Sequence, residues 1–200
     1  MVTVYTKSYA APEIKVREIF RYMGMRAENS DVGELIDRSI AEAKDKFIYK
    51  VCYTELPISQ SDSEIDFGFA RVKSRALEKC LSGCDKAVIF VATVGIEIDR
   101  LIKKSGVVSP LQSLAYQAFG TERIEALCDA FTTEIFEEKK KSGQAITPRF
   151  SPGYADLSLE LQRDIFKVLE CEKRIGVMLN KSMLMSPSKS VSAIIGIRNL

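Results

Sequence analysis

Hydrophobic and polar positions follow two different periods along the chain, and these periods predict a mixture of strands and helices. Alternation of Phe47, Tyr49, Val51 and Tyr53 is strand spacing, whereas apolar residues three and four positions apart after Pro12 form a helical stripe. The predicted elements of the first half are a strand at 2–6, a helix from Pro12, a helix capped by Asp31, a strand at 46–57, a loop at 59–64, a strand at 65–69, a helix at 71–81, a buried strand at 87–94 and a helix at 96–104.

The second half has longer helical patterns and ends in two β-like runs. Residues 110–141 predict a helix, with a break near Gly120, and a further helix capped by Asp156 or Ser158 runs to Arg174. The two runs on either side of 186–190 (SPSKS) predict a C-terminal hairpin. Strands and helices do not alternate as βαβ units, so we predict an α+β fold with a mixed or antiparallel sheet flanked by helices.

Composition indicates how many domains the chain forms and which kinds of partner its charge favours. The 200 residues are 46% hydrophobic, which suits one compact domain or two closely joined lobes, and we predict a single domain over 1–200. A formal net charge of +2 gives no electrostatic reason to expect a nucleic acid or a membrane as partner. The first residues lack a charged-then-apolar leader, so we expect a cytoplasmic protein without a secretory signal.

The cysteine and histidine content limits the metal sites and the kinds of nucleophilic catalysis that the chain can have. Five cysteines in unrelated contexts indicate free, mostly buried thiols in a reducing compartment. Cys80 and Cys84 have no second cysteine pair near them, so we predict no metal site. The chain contains no histidine, which removes the Ser-His-Asp and Cys-His routes to a nucleophile and disfavours much hydrolase chemistry.

The stretch RFSPGYADLS, residues 149–158, contains more chemistry than a connector needs. Arg149 can pair with a carboxylate or phosphate, Gly153 leaves its backbone open to a ligand, and Tyr154 offers a ring face and a hydroxyl. A ligand with a carboxylate and a positive centre would satisfy this set. From spacing alone, Arg149 could equally pair with a helix C-terminus and Tyr154 could be a core residue with an exposed hydroxyl.

Three ordered blocks lie in the second half of the sequence. The first is Arg-x-x-x-Gly-Tyr at 149–154, and the second is CEKRIGVML from Cys171. The third is KSMLMSPSKSVSAIIGI, with Ser, Met, Pro and Ser-Val-Ser positions between Ser182 and Ser192. Together these blocks resemble the reactivation domain of cobalamin-dependent methionine synthase, the module that binds S-adenosylmethionine. The resemblance lies within residues 110–200; the part at 1–110 resembles at most the small stand-alone relatives of the domain.

The resemblance implies a binding site for S-adenosylmethionine. Arg149 would hold the ligand carboxylate, backbone groups of Ser151 and Gly153 would receive the adenosyl and methionyl parts, and Tyr154 would flank them. The acid that approaches the ligand amino group in the family falls, in the stretch LCDAF, on Asp129. An ordinary solvated carboxylate is the alternative interpretation of Asp129.

The same resemblance implies a function and partners. The chain would be a stand-alone reactivation module that positions the methyl group of S-adenosylmethionine for reductive methylation of cob(II)alamin. The cobalamin would be carried by a methionine synthase subunit or another corrinoid protein, and flavodoxin or ferredoxin would donate the electron. The protein would contribute positioning rather than acid–base chemistry.

Departures from the family pattern leave alternatives open. The family continues Pro-Ala-Cys-Pro after the tyrosine, where this sequence has ADLS, and the sequence stops at Leu200, before a later family tyrosine that contacts the ligand. The acid at the start of the full-size domain has no clear match. An alternative is therefore a non-enzymatic scaffold for a corrinoid protein that has lost the ligand. A small-molecule methyltransferase is disfavoured because no glycine-rich loop follows a first parallel strand.

Overall fold

The computed structural model describes residues 2–25, 30–61 and 64–200 and confirms the α+β class. The strands are β1 (Tyr5–Ser8), β2 (Lys50–Pro57), β3 (Ser59–Ser61), β4 (Glu64–Asp66), β5 (Arg71–Lys73), β6 (Lys86–Thr93), β7 (Gln144–Ile146), β8 (Met178–Leu179), β9 (Met185–Ser186) and β10 (Ser190–Asn199). The helices are α1 (Val16–Tyr22), α2 (Ser30–Ala43), α3 (Arg75–Cys80), α4 (Glu97–Gly106), α5 (Pro110–Lys141), α6 (Leu161–Leu169) and α7 (Cys171–Ile175), with a 3₁₀ turn at Lys44–Lys46.

A five-stranded antiparallel sheet in the order β1-β2-β6-β10-β7 forms the centre of the molecule. Its middle strand, β6, is buried on both faces, which explains the continuous apolar run in the sequence. Phe90 and its neighbours at every second position face α5, whereas Ile89 and Val91 face α6, α7 and α3. Helices therefore cover both faces of the sheet.

The helix α5 organises one of these faces. Its second half packs on the sheet through Leu127, Phe131 and Ile135, and its first half packs against α1, α2 and α4. The predicted break near Gly120 is wrong, because α5 is continuous over 32 residues. A Cβ at Gly120 would lie 3.0 Å from Cγ1 of Ile98 and from Cγ of Lys189, so this glycine allows close packing rather than a bend.

Four elements predicted from local sequence patterns differ from the structure in type or extent. The tract at 59–64 contains β3 and the start of β4 (its residues 62 and 63 lie outside the described ranges), and the predicted strand at 65–69 turns after Asp66. The predicted helix at 71–81 is the strand β5 followed by α3. The helix predicted to reach Arg174 is two helices, because Glu170 adopts a left-handed conformation with φ of 50°.

The C-terminal hairpin also differs from its predicted form. The two runs beside 186–190 are strands, but they do not pair with each other. Strand β9 forms a hairpin with β8, whereas β10 enters the central sheet between β6 and β7. Within the described residues no helix is both long and apolar enough to cross a membrane.

The helix caps predicted at Asp31 and at Asp156 or Ser158 are confirmed only in part. Asp31 lies in the first turn of α2 rather than ahead of it. Ser158 accepts a hydrogen bond from the backbone N–H of Glu160 at the start of α6, so this predicted cap is close to its expected place. The predicted cap at Asp156 is wrong for α6, because the Asp156 carboxylate instead accepts hydrogen bonds from Ser74 Oγ at 2.5 Å and from the N–H groups of Arg75 and Ala76 at the start of α3.

We expect Asp156→Ala to lower the thermal stability in a way that depends on pH. The hydrogen bond from Ser74 and the backbone N–H donors hold the pKa of the Asp156 carboxyl below its ordinary value. Its contribution is therefore fully present above the unfolded-state pKa of about 3.9 and is lost as the pH falls through the lower folded-state pKa. Melting temperatures across this range should converge for wild type and Asp156→Ala at low pH, whereas the exposed control Asp37→Ala should track wild type throughout.

Candidate functional site

A polar cleft of about 250 Å³ lies between α1, α5 and the segment that follows β7. Its walls contain positively and negatively charged side chains, one tyrosine and one alanine. The lining residues are Lys15, Glu18, Arg21, Tyr22, Glu122, Glu125, Ala126, Asp129 and Arg149.

Backbone pairing on the edge of the sheet aims Arg149 into this cleft. The neighbouring residue Phe150 exchanges two backbone hydrogen bonds with Ile194 of β10, at 2.9 and 2.8 Å. Phe150 packs into the core on the α6 side of the sheet. Because side chains alternate along an extended segment, Arg149 is directed to the opposite side, toward α5.

The Arg149 guanidinium is held by two carboxylates of α5. Its Nη2 donates to Asp129 Oδ1 at 2.9 Å and to Glu125 Oε2 at 3.1 Å. These acids are four residues apart and so lie on the same face of the helix. Exposure is 25% for the Arg149 side chain and 57% for Asp129, so the pair lies at the mouth of the cleft, open to water on the carboxylate side.

The group beneath the pair is a neutral thiol. Burial raises the pKa of Cys128 to about 12, although the Arg149 guanidinium opposes this shift. Cys128 is therefore an uncharged, buried neighbour of Arg149, which remains the cation that faces two anions. Taken together, Glu125, Asp129 and Arg149 carry a net charge of −1.

A buried ion pair fixes the opposite wall. Glu122 and Arg123 are 2% and 1% exposed and are joined by two hydrogen bonds, at 2.5 and 2.6 Å. Arg123 also donates to the carbonyls of Pro12 and Glu13, at 2.6 and 2.7 Å, and Glu122 accepts from the N–H of Lys15 at 3.1 Å. These bonds hold the entry to α1 against α5.

The remaining residues predicted for the site lie outside this cleft. Ser151 is half-buried, and Gly153 sits in a turn closed by hydrogen bonds among Ser151, Tyr154 and Leu157. Tyr154 is 67% exposed and meets the Phe150 ring edge-on at 5.4 Å between centroids, so it is not a core residue. The structure therefore brings Arg149 and Asp129 together, whereas Ser151, Gly153 and Tyr154 do not line the cleft.

The Leu159 side chain covers Gly153. A Cβ at Gly153 would lie 3.0 Å from Cδ1 of Leu159, so this leucine occupies the space over the bare backbone position. Leu159 is itself among the exposed large hydrophobic residues, with 41% of its surface accessible to water. Access of a ligand to the Gly153 backbone therefore depends on where the Leu159 side chain lies.

Sequence reasoning missed Glu125 and the wall formed by α1. The available signal for Glu125 was its spacing of four residues from Asp129 on a helix that was already predicted. The signal for the buried pair was an adjacent Glu-Arg at 122–123 within an otherwise apolar helical segment. Which helix packs beside α5 is a long-range contact that periodicity does not encode.

Two clefts of about 720 Å³ each, and a third of about 410 Å³ that has no arginine in its lining, are larger but lack this arrangement of charges. The first lies between α6, α7 and β8, and the charged side chains at its rim, such as Lys173, are mostly exposed. The second lies beside the N-terminal segment and the end of β2, where Glu55 pairs with Lys86 and Lys139. Neither contains a guanidinium that is partly withdrawn from water and faces two carboxylates.

Comparisons with known proteins point to one family. A family model described as the activation domain of vitamin B12 dependent methionine synthase matches residues 82–199, which is more than half of the chain. The fold is similar to a crystal structure of the MetH reactivation domain bound to AdoHcy, with a TM-score of 0.70 and 16% sequence identity over 98% of this chain and 78% of that chain. No curated protein sequence matches the chain.

Proposed function

The chain belongs to the family of activation domains of vitamin B12 dependent methionine synthase, and on this premise we propose that it binds S-adenosylmethionine and presents its methyl group to a corrinoid. The similar MetH domain was crystallised with AdoHcy, the demethylated form of that ligand. The observation that carries the proposal for this chain is the Arg149–Asp129 ion pair in an open cleft.

An ion pair of this kind suits an amino-acid headgroup. The ligand carboxylate would replace Asp129 on the Arg149 guanidinium, and the displaced Asp129 carboxylate would receive the ligand ammonium group. Each new contact is a charge-assisted hydrogen bond, which contributes about 1.5–3 kcal/mol. A zwitterionic headgroup leaves the net charge of the cleft unchanged, whereas a simple anion would meet two carboxylates on α5 without a compensating positive charge.

The rest of the ligand would extend from the cleft toward 151–154. Backbone groups of Ser151 and Gly153 would receive the adenosyl and methionyl parts, with Tyr154 alongside. The Leu159 side chain, which now covers Gly153, would have to rotate away. Rotation of this one exposed leucine about its side-chain torsions would uncover the Gly153 backbone.

The proposed reaction is reductive methylation of cob(II)alamin held by a partner. When bound, the corrinoid supplies cobalt as the methyl acceptor, with one electron from flavodoxin or ferredoxin. Side chains of this protein orient the sulfonium methyl group, which turns an encounter between free reactants into a positioned transfer. The partner would be a cobalamin-binding methionine synthase subunit, domain or other corrinoid protein in the cytoplasm.

Calorimetric titration with S-adenosylmethionine and S-adenosylhomocysteine tests the proposal. We expect Asp129→Asn to lower both affinities about tenfold, because one charge-assisted contact to the ammonium group is weakened. Glu137→Gln is the matched control, since Glu137 is an exposed acid of α5 outside the cleft. No heat from the wild type with either ligand, or equal binding by Asp129→Asn, would contradict the proposal.

A second candidate function is a scaffold for a corrinoid protein without the ligand. The position of Leu159 over Gly153 favours it, because the contact surface predicted for the ligand is occupied by the chain's own side chain. Capture of a corrinoid-loaded partner by a protein that gives no heat with S-adenosylmethionine would select this function. Ligand binding by the wild type would exclude it.

A further inference from the structure

The helix α1 forms one wall of the ligand cleft although it lies outside the matched residues 82–199. Lys15, Glu18, Arg21 and Tyr22 face the cleft from this side. The buried Glu122–Arg123 pair holds the entry to α1 through hydrogen bonds to three backbone groups. A wall anchored in this way is a fixed part of the site.

The two walls carry opposite net charges. On the α5 side, two carboxylates face the single guanidinium of Arg149. On the α1 side, Lys15 and Arg21 outnumber Glu18 by one positive charge. A ligand carboxylate bound to Arg149 lies near two acids of α5, and the positive charge on the α1 side offsets their repulsion.

Arg21 is placed to act on such a carboxylate. Its Nε and Nη2 both bind the same oxygen of Glu18, at 2.7 and 2.6 Å, and its guanidinium lies 4.3 Å from the centre of the Tyr22 ring. That arrangement uses two of the five N–H donors of an arginine and holds the guanidinium plane in place. The side chain remains 60% exposed toward the cleft and solvent.

We propose that Arg21 is a second cation for the ligand carboxylate, acting together with Arg149, so that α1 selects ligands with a free α-carboxylate. This inference rests on the proposed binding of S-adenosylmethionine. It assigns the N-terminal part of the chain a direct role in recognition, in addition to its packing against α5. The ligand class is an amino-acid zwitterion that carries a nucleoside.

The test compares two arginine variants of α1 and, for each, the free acid of the ligand with its methyl ester. Arg21→Ala is expected to weaken S-adenosylhomocysteine binding at least tenfold, whereas Arg17→Ala should stay within twofold of wild type. Arg17 is an exposed arginine of the same helix, outside the cleft lining, so it removes the same charge without removing the contact. The carboxyl methyl ester of S-adenosylhomocysteine should bind wild type weakly and Arg21→Ala almost equally weakly.

The possible results separate this inference from the function on which it rests. Equal losses for acid and ester in Arg21→Ala, or equal affinities for Arg21→Ala and Arg17→Ala, would overturn the role of Arg21 while leaving ligand binding established. Absence of binding by the wild type would overturn the proposed function itself. Unchanged melting temperatures of both variants would show that the comparison concerns folded protein.

Discussion

Replacement of Arg149 by alanine should lower the affinity for S-adenosylmethionine and S-adenosylhomocysteine about a hundredfold or more. The variant loses a guanidinium that would make two charge-assisted hydrogen bonds to the ligand carboxylate, at about 1.5–3 kcal/mol each. It also leaves Glu125 and Asp129 without the cation that now lies between them. An incoming carboxylate would then meet two like charges.

The fold should survive this change. Glu125 and Asp129 are 40% and 57% exposed, so water can solvate them when Arg149 is absent. Calorimetry should therefore show lost binding with little change in melting temperature. Arg38→Ala, a change at an exposed position of α2 outside the cleft, is the control and should bind as wild type does. Binding by Arg149→Ala within threefold of wild type would contradict the central role of the ion pair.

Strands and helices that are marked by a local sequence pattern were predictable from the sequence. The strand β6 was predicted within one residue at each end, because a continuous apolar run fits a strand buried on both faces. The ends of α5 at Pro110 and Lys141 were also predicted, since proline at the first helical position and Gly143 just after the last turn mark both ends. These features need no knowledge of the packing partner.

Elements that depend on distant partners were not predictable in the same way. Residues 71–73 have little local preference and become strand β5 only because they pair with β4. The helical period continued across Glu170, but the chain there takes a left-handed turn that lets Cys171 enter the core. Local periodicity therefore located strands and helices without specifying their pairing.

In the candidate site, too, residues with a local sequence signal were predicted, whereas contacts between distant segments were not. Arg149 and Asp129 were named from motifs in separate parts of the sequence, and the fold brings them within hydrogen-bonding distance. Glu125 shares the helical face of Asp129 and was missed, as was the whole contribution of α1. The α1 wall exists because Arg123 reaches carbonyls about 110 positions earlier in the chain, a contact that no local pattern encodes.

The buried Glu122–Arg123 pair should control both stability and ligand binding, and Arg123→Met tests this. The change leaves the Glu122 carboxylate buried without its cation and removes the donors to Pro12 and Glu13. Breaking a buried pair in this way costs about 3–5 kcal/mol in the free energy of unfolding. Because α1 loses its anchor, the ligand affinity of the folded variant should fall at least as far as that of Arg21→Ala.

A double variant distinguishes the buried charge from the lost anchor. Glu122→Leu with Arg123→Met removes both charges, so chemical denaturation should show part of the stability restored relative to Arg123→Met alone. Ligand affinity should stay low in the double variant, because the contacts to the Pro12 and Glu13 carbonyls are still missing and the contact from the Lys15 N–H is lost as well. Lys141→Met, at an exposed position near the end of α5, is the control and should match wild type in both measurements. If Arg123→Met destabilises the fold but the folded protein binds the ligand with wild-type affinity, α1 packs beside the cleft without shaping it.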